Sequence, residues 1–205
     1  MQIIQIGNIT EKEKGYLVGL FLGDGHADYN KKDRHYNTEF YLNSKSDLDI
    51  QEFLLTIIKK LDAIVHIFKD PRYNVNRIRI SSKIFFTFLQ NEVASFCDKT
   101  LPFSKSFLLG VVSGLIDSEG YVKHGSILIT QKDESLLRDV EKICKDFEVR
   151  CSLRKQENFS NRFIWRAAVS TRFKYLDHIS KKVQREYGPS SSGNLYKRPQ
   201  KPLYS

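Results

Sequence analysis

A nine-residue motif occurs twice in this chain, at residues 17–25 (LVGLFLGDG) and 112–120 (VSGLIDSEG). Each copy is an apolar helical stretch with small residues at fixed spacing, and each ends in an acid followed by glycine, Asp24 or Glu119. A carboxylate is mildly unfavourable at the C-terminal end of a helix, where the peptide dipoles leave partial negative charge. A cation shared by the two acids explains their placement better than helix stability does. The repeat also predicts two similar halves of roughly 100 residues each.

The charge balance of the chain favours a polyanionic partner. Lys and Arg total 33 against 24 Asp and Glu, which gives a formal net charge of +9. Nucleic-acid-binding proteins have such an excess, although a solvated basic surface produces the same number. The three cysteines lack metal-ligand spacing, which indicates reduced thiols and no disulfide framework. We see no signal peptide, and no apolar stretch reaches ~18 residues, so we expect neither secretion nor a membrane span.

Hydrophobic periodicity predicts an α+β fold with two pseudo-symmetric halves, each in the order αββαββα. In the first half we expect helices over 10–23, 47–61 and 83–96 and strands over 26–30, 36–43, 65–69 and 75–81. In the second half we expect helices over 104–117, 133–147 and 171–186 and strands over 121–123, 126–131, 151–156 and 162–170. Thr10 and Glu13 predict a capping box for the first helix, and Ser46 is the expected N-cap of the second. The halves are bounded at 1–101 and 102–187, followed by a flexible basic tail at 188–205.

Small residues line one face of each motif helix. They recur every four positions, at Gly19 and Gly23 in the first helix and at Gly110, Gly114 and Ser118 in the second. Residues four apart share a helix face, and small side chains let two helix backbones approach closely. We therefore expect the motif helices to pack at a central interface that brings Asp24 and Glu119 together. Two adjacent carboxylates raise each other's pKa unless a cation lies between them, and such oxygen ligands suit Mg²⁺.

Two predicted strands alternate between apolar and basic residues. In the first half, Ile78 and Ile80 face one side of the strand, and Arg77 and Arg79 face the other. Arg166 aligns with Arg77 in the second half. It lies opposite an apolar series made of Phe163, Trp165, Ala167 and Val169. Each sheet is therefore expected to have one packed face and one arginine-bearing face, which suits a polyanion, although an ordinary solvated face has the same pattern.

These features resemble the LAGLIDADG homing endonucleases in their single-chain, two-motif form, and the compact archaeal intron-encoded members look most similar. The resemblance covers about residues 11–186 and includes both motifs, the element order of each half and the chain length. It implies the LAGLIDADG homing endonuclease fold, with motif helices at the central interface and antiparallel sheets forming a DNA-binding saddle. It also implies a metal-dependent, site-specific DNA endonuclease that hydrolyses both strands and leaves short 3′ overhangs.

The resemblance implies a set of metal ligands and catalytic residues. Asp24 and Glu119 match the metal-binding acids, and the carbonyls of the residues before them, Gly23 and Ser118, would also bind metal. Asp117 matches the earlier Asp of the motif, whose role in the family is more often structural. The implied catalytic residues are the two acids together with Lys45, Lys105, Gln131 and Lys132. The cofactor would be Mg²⁺, with Mn²⁺ replacing it and Ca²⁺ supporting binding without cleavage.

A polar triplet at the end of the second strand of each half would reach toward the metal ions and the attacking water. Thr130, Gln131 and Lys132 match the family's Thr-Gln-Lys triplet at every position. The first-half counterpart, residues 43–45 (NSK), matches it only at Lys45. Lys105, before the second motif helix, and Lys123, after it, are further candidates for a basic residue near the scissile phosphate.

The implied partner is double-stranded DNA with an asymmetric target, because the first hairpin is eight residues longer in the first half (24 to 45 against 119 to 132). We expect a monomer without a membrane partner, and intron RNA is a second candidate ligand. We expect it in the cytoplasm of a prokaryote, or in an organelle if an intron there encodes it. The expected DNA-contacting residues lie on the sheets or in hairpin tips: Lys31, Lys32, Arg34, Arg72, Arg77, Arg79, Lys123, Arg154, Arg162 and Arg166.

Other interpretations stay open from the residues alone. An RNA-binding intron maturase or a non-cleaving DNA-binding module of the same fold would share this pattern, and a maturase can retain both acids. An intein-embedded nuclease is disfavoured, because the sequence has no nucleophilic residue at its start and no His-Asn at its end. A basic α/β domain whose helices merely pack would not explain why both motif helices end in an acid.

Overall fold

The computed structural model describes residues 9–32, 35–61, 63–70, 72–123, 125–157 and 163–188. The helices are α1 (Glu11–Asp24), α2 (Leu48–Lys59), α3 (Lys83–Asp98), α4 (Lys105–Glu119), α5 (Glu134–Asp146) and α6 (Lys181–Tyr187). The strands are β1 (Gly25–Asn30), β2 (His35–Asn43), β3 (Val65–Asp70), β4 (Val75–Ser81), β5 (Gly120–Lys123), β6 (Ser126–Gln131), β7 (Cys151–Glu157) and β8 (Phe163–Val169). The predicted α+β class and the αββαββα order of both halves are confirmed. None of the described helices is long and apolar enough to cross a membrane.

Each half contains one four-stranded antiparallel sheet, and the two sheets have the same topology. The strand order is β1-β2-β4-β3 in the first sheet and β5-β6-β8-β7 in the second. In β4, Ile78 and Ile80 are completely buried, whereas Arg77 and Arg79 lie on the other face and remain partly exposed. In β8, Ala167 is likewise buried while its neighbour Arg166 belongs to the opposite face. The predicted division of each sheet into an apolar and a basic face is confirmed.

Close glycine contacts hold α1 against α4. A Cβ atom added to Gly19 would overlap the backbone oxygen of Val111, and one added to Gly114 would overlap that of Tyr16. Gly110 meets the backbone of α1 in the same way. The absence of side chains at these positions is therefore what lets the two helix backbones touch. One continuous apolar core surrounds them and includes residues of both halves.

The start of α1 is fixed by the predicted capping box. The Thr10 hydroxyl accepts the N–H of Glu13 at 3.2 Å, and the Glu13 carboxylate accepts the N–H of Thr10 at 2.8 Å. Lys60, just after α2, also donates to the Glu13 carboxylate at 2.5 Å. The beginning of the motif helix is thus tied to the end of the next helix in the same half.

The second helix begins one residue later than predicted, and Ser46 is not its N-cap. Asp47 occupies that position, and its carboxylate accepts the N–H of Asn43 and the hydroxyl of Ser46, both at 3.1 Å. The Asn43 side chain accepts the N–H groups of Lys45 and Ser46 at 2.9 and 3.1 Å. These bonds close a turn between β2 and α2, and Ser46 is part of that turn instead of capping the helix.

The last predicted helix, over residues 171–186, is interrupted. A 3-10 helix over Thr171–Tyr175 comes first, and α6 starts only at Lys181. Ser180 causes the new start, because its hydroxyl accepts the N–H of Val183 at 3.3 Å and donates to the buried carboxylate of Asp117 at 2.7 Å. The predicted basic tail lies outside the described residues beyond Gly188.

Candidate metal centre and nucleic-acid surface

The C-terminal ends of α1 and α4 meet, and this contact carries the two motif acids. A Cβ atom added to Gly23 would overlap the Ser118 side chain and would lie 3.0 Å from Cγ of Glu119. Asp24 follows Gly23 directly as the last residue of α1, and Glu119 is the last residue of α4. The packing of the motif helices therefore places the two carboxylates at one end of the central interface.

Both motif acids are electrostatically strained by their surroundings. Burial raises the pKa of Asp24, the nearby carboxylate of Asp47 raises it further, and the positive charge of Lys182 opposes the change. Burial also raises the pKa of Glu119, Asp24 adds to that rise, and Lys182 and Lys132 oppose it. Water and neighbouring side chains thus leave the two ionised carboxylates incompletely stabilised. A further cation at this end of the interface would relieve that deficit.

The second-half triplet reaches Glu119. Gln131 donates its side-chain amide to the Glu119 carboxylate at 3.1 Å, and Lys132 acts on the same carboxylate through its charge. Thr130 lies across the β6–β8 ladder from Arg166, on the basic face of the sheet. Lys45 differs, because it is exposed and its described hydrogen bond is made by its backbone N–H to Asn43. The described contacts therefore join only the second-half triplet to a motif acid.

Lys105 does not belong to this site. It is the first residue of α4, whereas Glu119 is the last. At a rise of ~1.5 Å per residue, the two are separated by about 20 Å along the helix axis. The expectation that Lys105 lies near the scissile phosphate is wrong. Lys105 precedes the motif in sequence, so the helix places it at the end of α4 opposite Glu119.

Lys182 is a site residue that the sequence interpretation missed. Its ammonium group donates to the backbone oxygens of Ser118 (3.1 Å) and Gly120 (2.9 Å), on either side of Glu119. Its position depends on the late start of α6, which no local pattern in the sequence indicated. It was one of many lysines in the chain, and only the tertiary structure distinguishes it from the others.

Asp117 fixes the start of α6 and is completely enclosed. Its carboxylate accepts four hydrogen bonds, from the Tyr16 hydroxyl at 2.9 Å, the Ser180 hydroxyl at 2.7 Å, and the backbone N–H groups of Lys181 and Lys182 at 2.8 and 2.9 Å. Burial raises the pKa of Asp117, although all four donors act against that change. These contacts support the structural role expected of Asp117.

The available oxygen donors fit a hard divalent cation. The described residues contain no group of three or more His, Cys, Asp and Glu side chains placed to hold a metal ion. The candidate ligands are instead the carboxylates of Asp24 and Glu119 with the backbone oxygens of Gly23 and Ser118. An ammonium group already contacts the Ser118 oxygen, which shows that this end of α4 attracts positive charge. Carboxylate and carbonyl oxygens suit Mg²⁺, whereas Zn²⁺ favours nitrogen and sulfur ligands.

On the basic face of the first sheet, Arg77 and Arg79 converge on an acid that the sequence interpretation did not single out. Glu39 accepts Arg79 Nε at 2.6 Å and the Tyr41 hydroxyl at 2.5 Å, and Arg77 lies 4.0 Å away. Burial alone would raise the pKa of Glu39, but the hydrogen bonds from Tyr41 and Arg79 and the arginine charges lower it overall. The two guanidinium groups also flank the ring of Phe68, at 4.8 and 5.2 Å from its centre.

The other expected DNA contacts are distributed over both sheets. Arg154 and Arg166 are cross-strand neighbours in the second sheet, and Lys123 pairs with Ser126 where β5 turns into β6. The Arg72 side chain donates two hydrogen bonds to the Asp70 carboxylate, at 3.1 and 3.0 Å. Lys31 and Lys32 form the turn after β1, and Arg34 and Arg162 lie outside the described residues.

The fold and its paired motif helices match a known protein architecture. Residues 106–187 match the model of the LAGLIDADG-like domain. The chain has the LAGLIDADG homing endonuclease fold in both halves, with the motif helices at the centre, as the two motifs predicted.

Among solved structures, the single-chain homing endonuclease I-DmoI is strongly similar. A complex of an I-DmoI variant with its target DNA in the presence of manganese gives a TM-score of 0.64 at 20% identity, over 79% of this chain and 88% of that chain. A complex of I-DmoI with DNA and calcium gives 0.61 at 19% identity, over 79% and 84% of the two chains. At these identities the similarity establishes the fold.

Two other relatives widen the comparison. Full-length WhiA from Thermotoga maritima gives a TM-score of 0.55 at 18% identity, over 81% of this chain and 54% of that one. The uncharacterized protein MJ0398 of Methanocaldococcus jannaschii is 26% identical over 141 residues, which are 69% of this chain. The match spans about half, 51%, of the length of that curated relative.

Proposed function

We propose that the protein is a site-specific DNA endonuclease that uses a divalent metal to hydrolyse both strands of a long asymmetric target, leaving short 3′ overhangs. The observation that carries this proposal is the meeting of Asp24 and Glu119 at the ends of two glycine-apposed helices. Neither acid helps its own helix end, and burial raises the pKa of both. A metal-binding role gives a reason for placing them there.

The residues have distinct parts in this proposal. Asp24 and Glu119, with the backbone oxygens of Gly23 and Ser118, would hold Mg²⁺. Divalent ions bound there would supply a more acidic water and charge stabilisation for the attacking and leaving oxygens. Gln131 orients the Glu119 carboxylate by its hydrogen bond.

Lys132, beside Glu119, adds positive charge where the phosphate becomes more negative in the transition state. The oxygen of the attacking water loses a proton to solvent and joins phosphorus. The bond from phosphorus to the 3′ oxygen breaks, and that oxygen takes a proton from solvent, so the products are a 3′ hydroxyl and a 5′ phosphate. Mn²⁺ is expected to replace Mg²⁺, and Ca²⁺ to support binding alone.

The two sheets supply the proposed DNA surface. Each has an outward face with arginines, and the strands of an antiparallel sheet fit into the major groove, where base pairs present distinct hydrogen-bonding patterns. Arg77 and Arg79 lie on the first sheet, and Arg154 and Arg166 on the second. Since the outward faces carry different side chains in the two halves, the proposed target is asymmetric and one chain suffices to bind it.

The direct test is cleavage of a plasmid that contains the sequence flanking the gene, joined without the intervening element. With Mg²⁺ we expect linear product whose ends, read by sequencing, have 3′ extensions at one position. Asp24→Asn and Glu119→Gln should bind the same DNA in a gel shift without cutting it, and EDTA should have the same effect on the unaltered protein. Normal cutting by either variant would remove that acid from the mechanism.

A non-cleaving nucleic-acid-binding module is the second candidate, and one observation favours it. Among the described contacts, only those of the second half join the polar triplet to a motif acid, while Lys45 in the first half remains exposed. The fold itself does not decide between cleavage and binding, because folds host different functions. Sequence-specific retention of the plasmid without nicking in Mg²⁺ or Mn²⁺ would favour this module, and preferential binding of intron RNA would favour a maturase.

A further inference from the structure

Lys182 contributes a cation of the protein's own to the motif acids. Its ammonium group bonds to the oxygens of Ser118 and Gly120, and its charge acts on both Asp24 and Glu119. The Ser118 oxygen is one of the candidate metal ligands. A metal ion and the ammonium group of Lys182 therefore require the same backbone oxygen.

The chain holds Lys182 in this position through contacts at both ends of α6. The Asp117 carboxylate binds the N–H groups of Lys181 and Lys182 and so anchors the first turn of α6. Farther along α6, Arg185 forms two hydrogen bonds to Asp49 in α2, at 3.0 and 2.9 Å. Because both ends of this short helix are tied down, Lys182 is not a surface lysine that happens to fold over the site.

Among the residues that the structure describes in the first half, none corresponds to Lys182. α3 follows β4 in the first half as the segment leading to α6 follows β8 in the second. Within the described part of the chain, no side chain donates a hydrogen bond to the oxygen of Gly23, which corresponds to that of Ser118. The two halves thus offer a metal ion different conditions at corresponding oxygens.

We propose that Lys182 is a positioning residue that occupies the Ser118 side of the metal centre and makes metal binding there weaker than on the Gly23 side. This inference rests on the proposed metal centre at Asp24 and Glu119. Metal loading on the Ser118 side requires the ammonium group to move away from that oxygen. In the metal-free protein the same group partly neutralises the two carboxylates and stabilises the joined ends of α1 and α4.

Calcium titration of the full chain by calorimetry tests this inference without relying on cleavage. The unaltered protein should show one stronger and one weaker calcium site. Lys182→Met should strengthen the weaker site by about tenfold, because a repelling charge near the ion is removed. Lys182→Gln keeps a hydrogen-bond donor without the charge and should behave like Lys182→Met, whereas Lys182→Arg should retain the weak site.

Lys181→Met is the matched control. The Lys181 ammonium group lies 4.3 Å from the Phe53 ring and bonds to Gln184, so its removal changes the net charge equally without touching the Ser118 oxygen. Melting in EDTA gives a second measurement. Lys182→Met and Lys182→Gln should lower the Tm more than Lys181→Met does, and calcium should raise their Tm by more than it raises that of the unaltered protein.

The outcomes separate the two proposals. If the unaltered protein binds calcium, Asp24→Asn and Glu119→Gln lose that binding, and the Lys182 variants bind as the unaltered protein does, the role of Lys182 is overturned and the metal centre stands. If neither the unaltered protein nor any Lys182 variant binds calcium, the metal centre itself is overturned and this inference with it. If only the Lys182 variants bind calcium, Lys182 blocks both sides of the centre, and the assigned difference between the Ser118 and Gly23 sides is overturned.

Discussion

The Tyr16 hydroxyl donates a hydrogen bond of 2.9 Å to the Asp117 carboxylate, and this buried contact joins α1 of the first half to α4 of the second. Burial and the adjacent carboxylate raise the pKa of Tyr16 well above its ordinary value, which favours the protonated phenol that donates this bond. Asp117 in turn holds α6 and hence Lys182. One hydrogen-bonded network thus connects the helix interface to the cation beside the motif acids.

Removal of the Tyr16 hydroxyl tests the first link of this network. Tyr16→Phe keeps the ring in the core but leaves Asp117 with three donors, so we expect a loss of about 1 kcal/mol in the free energy of unfolding. Urea denaturation measures this change. Tyr175→Phe, at a ring that is 51% exposed, is the control and should be close to neutral. Equal stability of the two variants would show that the Tyr16 bond contributes nothing.

Asp117→Asn should have a larger and more specific effect. A carboxamide has one acceptor oxygen for four donors, so buried hydrogen bonds are lost and we expect destabilisation of about 3 kcal/mol. Hydrogen exchange should also become faster at the amides of Lys181 and Lys182, which donate to this carboxylate. Unchanged exchange at those amides, together with lower overall stability, would contradict the proposed anchoring of α6.

The glycine contacts predict that replacing a helical glycine by alanine destabilises this protein, contrary to the usual effect of that substitution. Glycine to alanine inside a helix ordinarily stabilises by about 1 kcal/mol. At Gly19 the new methyl group would overlap the backbone of Val111, so Gly19→Ala should instead destabilise by about 2 kcal/mol. Thermal melting measures the change, and Asn91→Ala at an exposed position of α3 is the control. An increase in Tm for Gly19→Ala would show that the helices are not in such close contact.

The parts of the site that the sequence predicted are those governed by local spacing. Glycines four residues apart define a helix face, and this alone indicated that Asp24 and Glu119 would meet. Lys182 was not predictable in this way, because its position depends on the break before α6 and on its capture by Asp117, a contact between residues 65 positions apart. Helix length alone could have excluded Lys105, since 14 residues separate it from Glu119.

Strand alternation had a similar limit. Period two correctly separated the buried isoleucines of β4 from Arg77 and Arg79, because that alternation belongs to a single strand. It gave no sign that Glu39, on the neighbouring strand, would receive both arginines, since cross-strand partners depend on the register between β2 and β4. The position of Glu39 within the basic face therefore follows only from the pairing of β2 with β4 in the folded sheet.

Neutralising both motif acids should stabilise the metal-free protein. The pKa values of Asp24 and Glu119 are raised in the folded state, so the folded protein retains their protons to higher pH than the unfolded chain does. The stability that accompanies protonation is complete below the ordinary values of 3.8 and 4.5 and is lost as the pH rises through the raised values.

In EDTA at neutral pH, the Asp24→Asn, Glu119→Gln double variant should therefore have a higher Tm than the unaltered protein. The difference should disappear near pH 3, and saturating Mg²⁺ should reduce it at neutral pH by stabilising only the protein with intact carboxylates. Asp28→Asn, at an exposed position of β1, supplies the control for loss of one negative charge. A double variant less stable than the unaltered protein at neutral pH in EDTA would mean that the two carboxylates already have sufficient counter-charge without a metal ion.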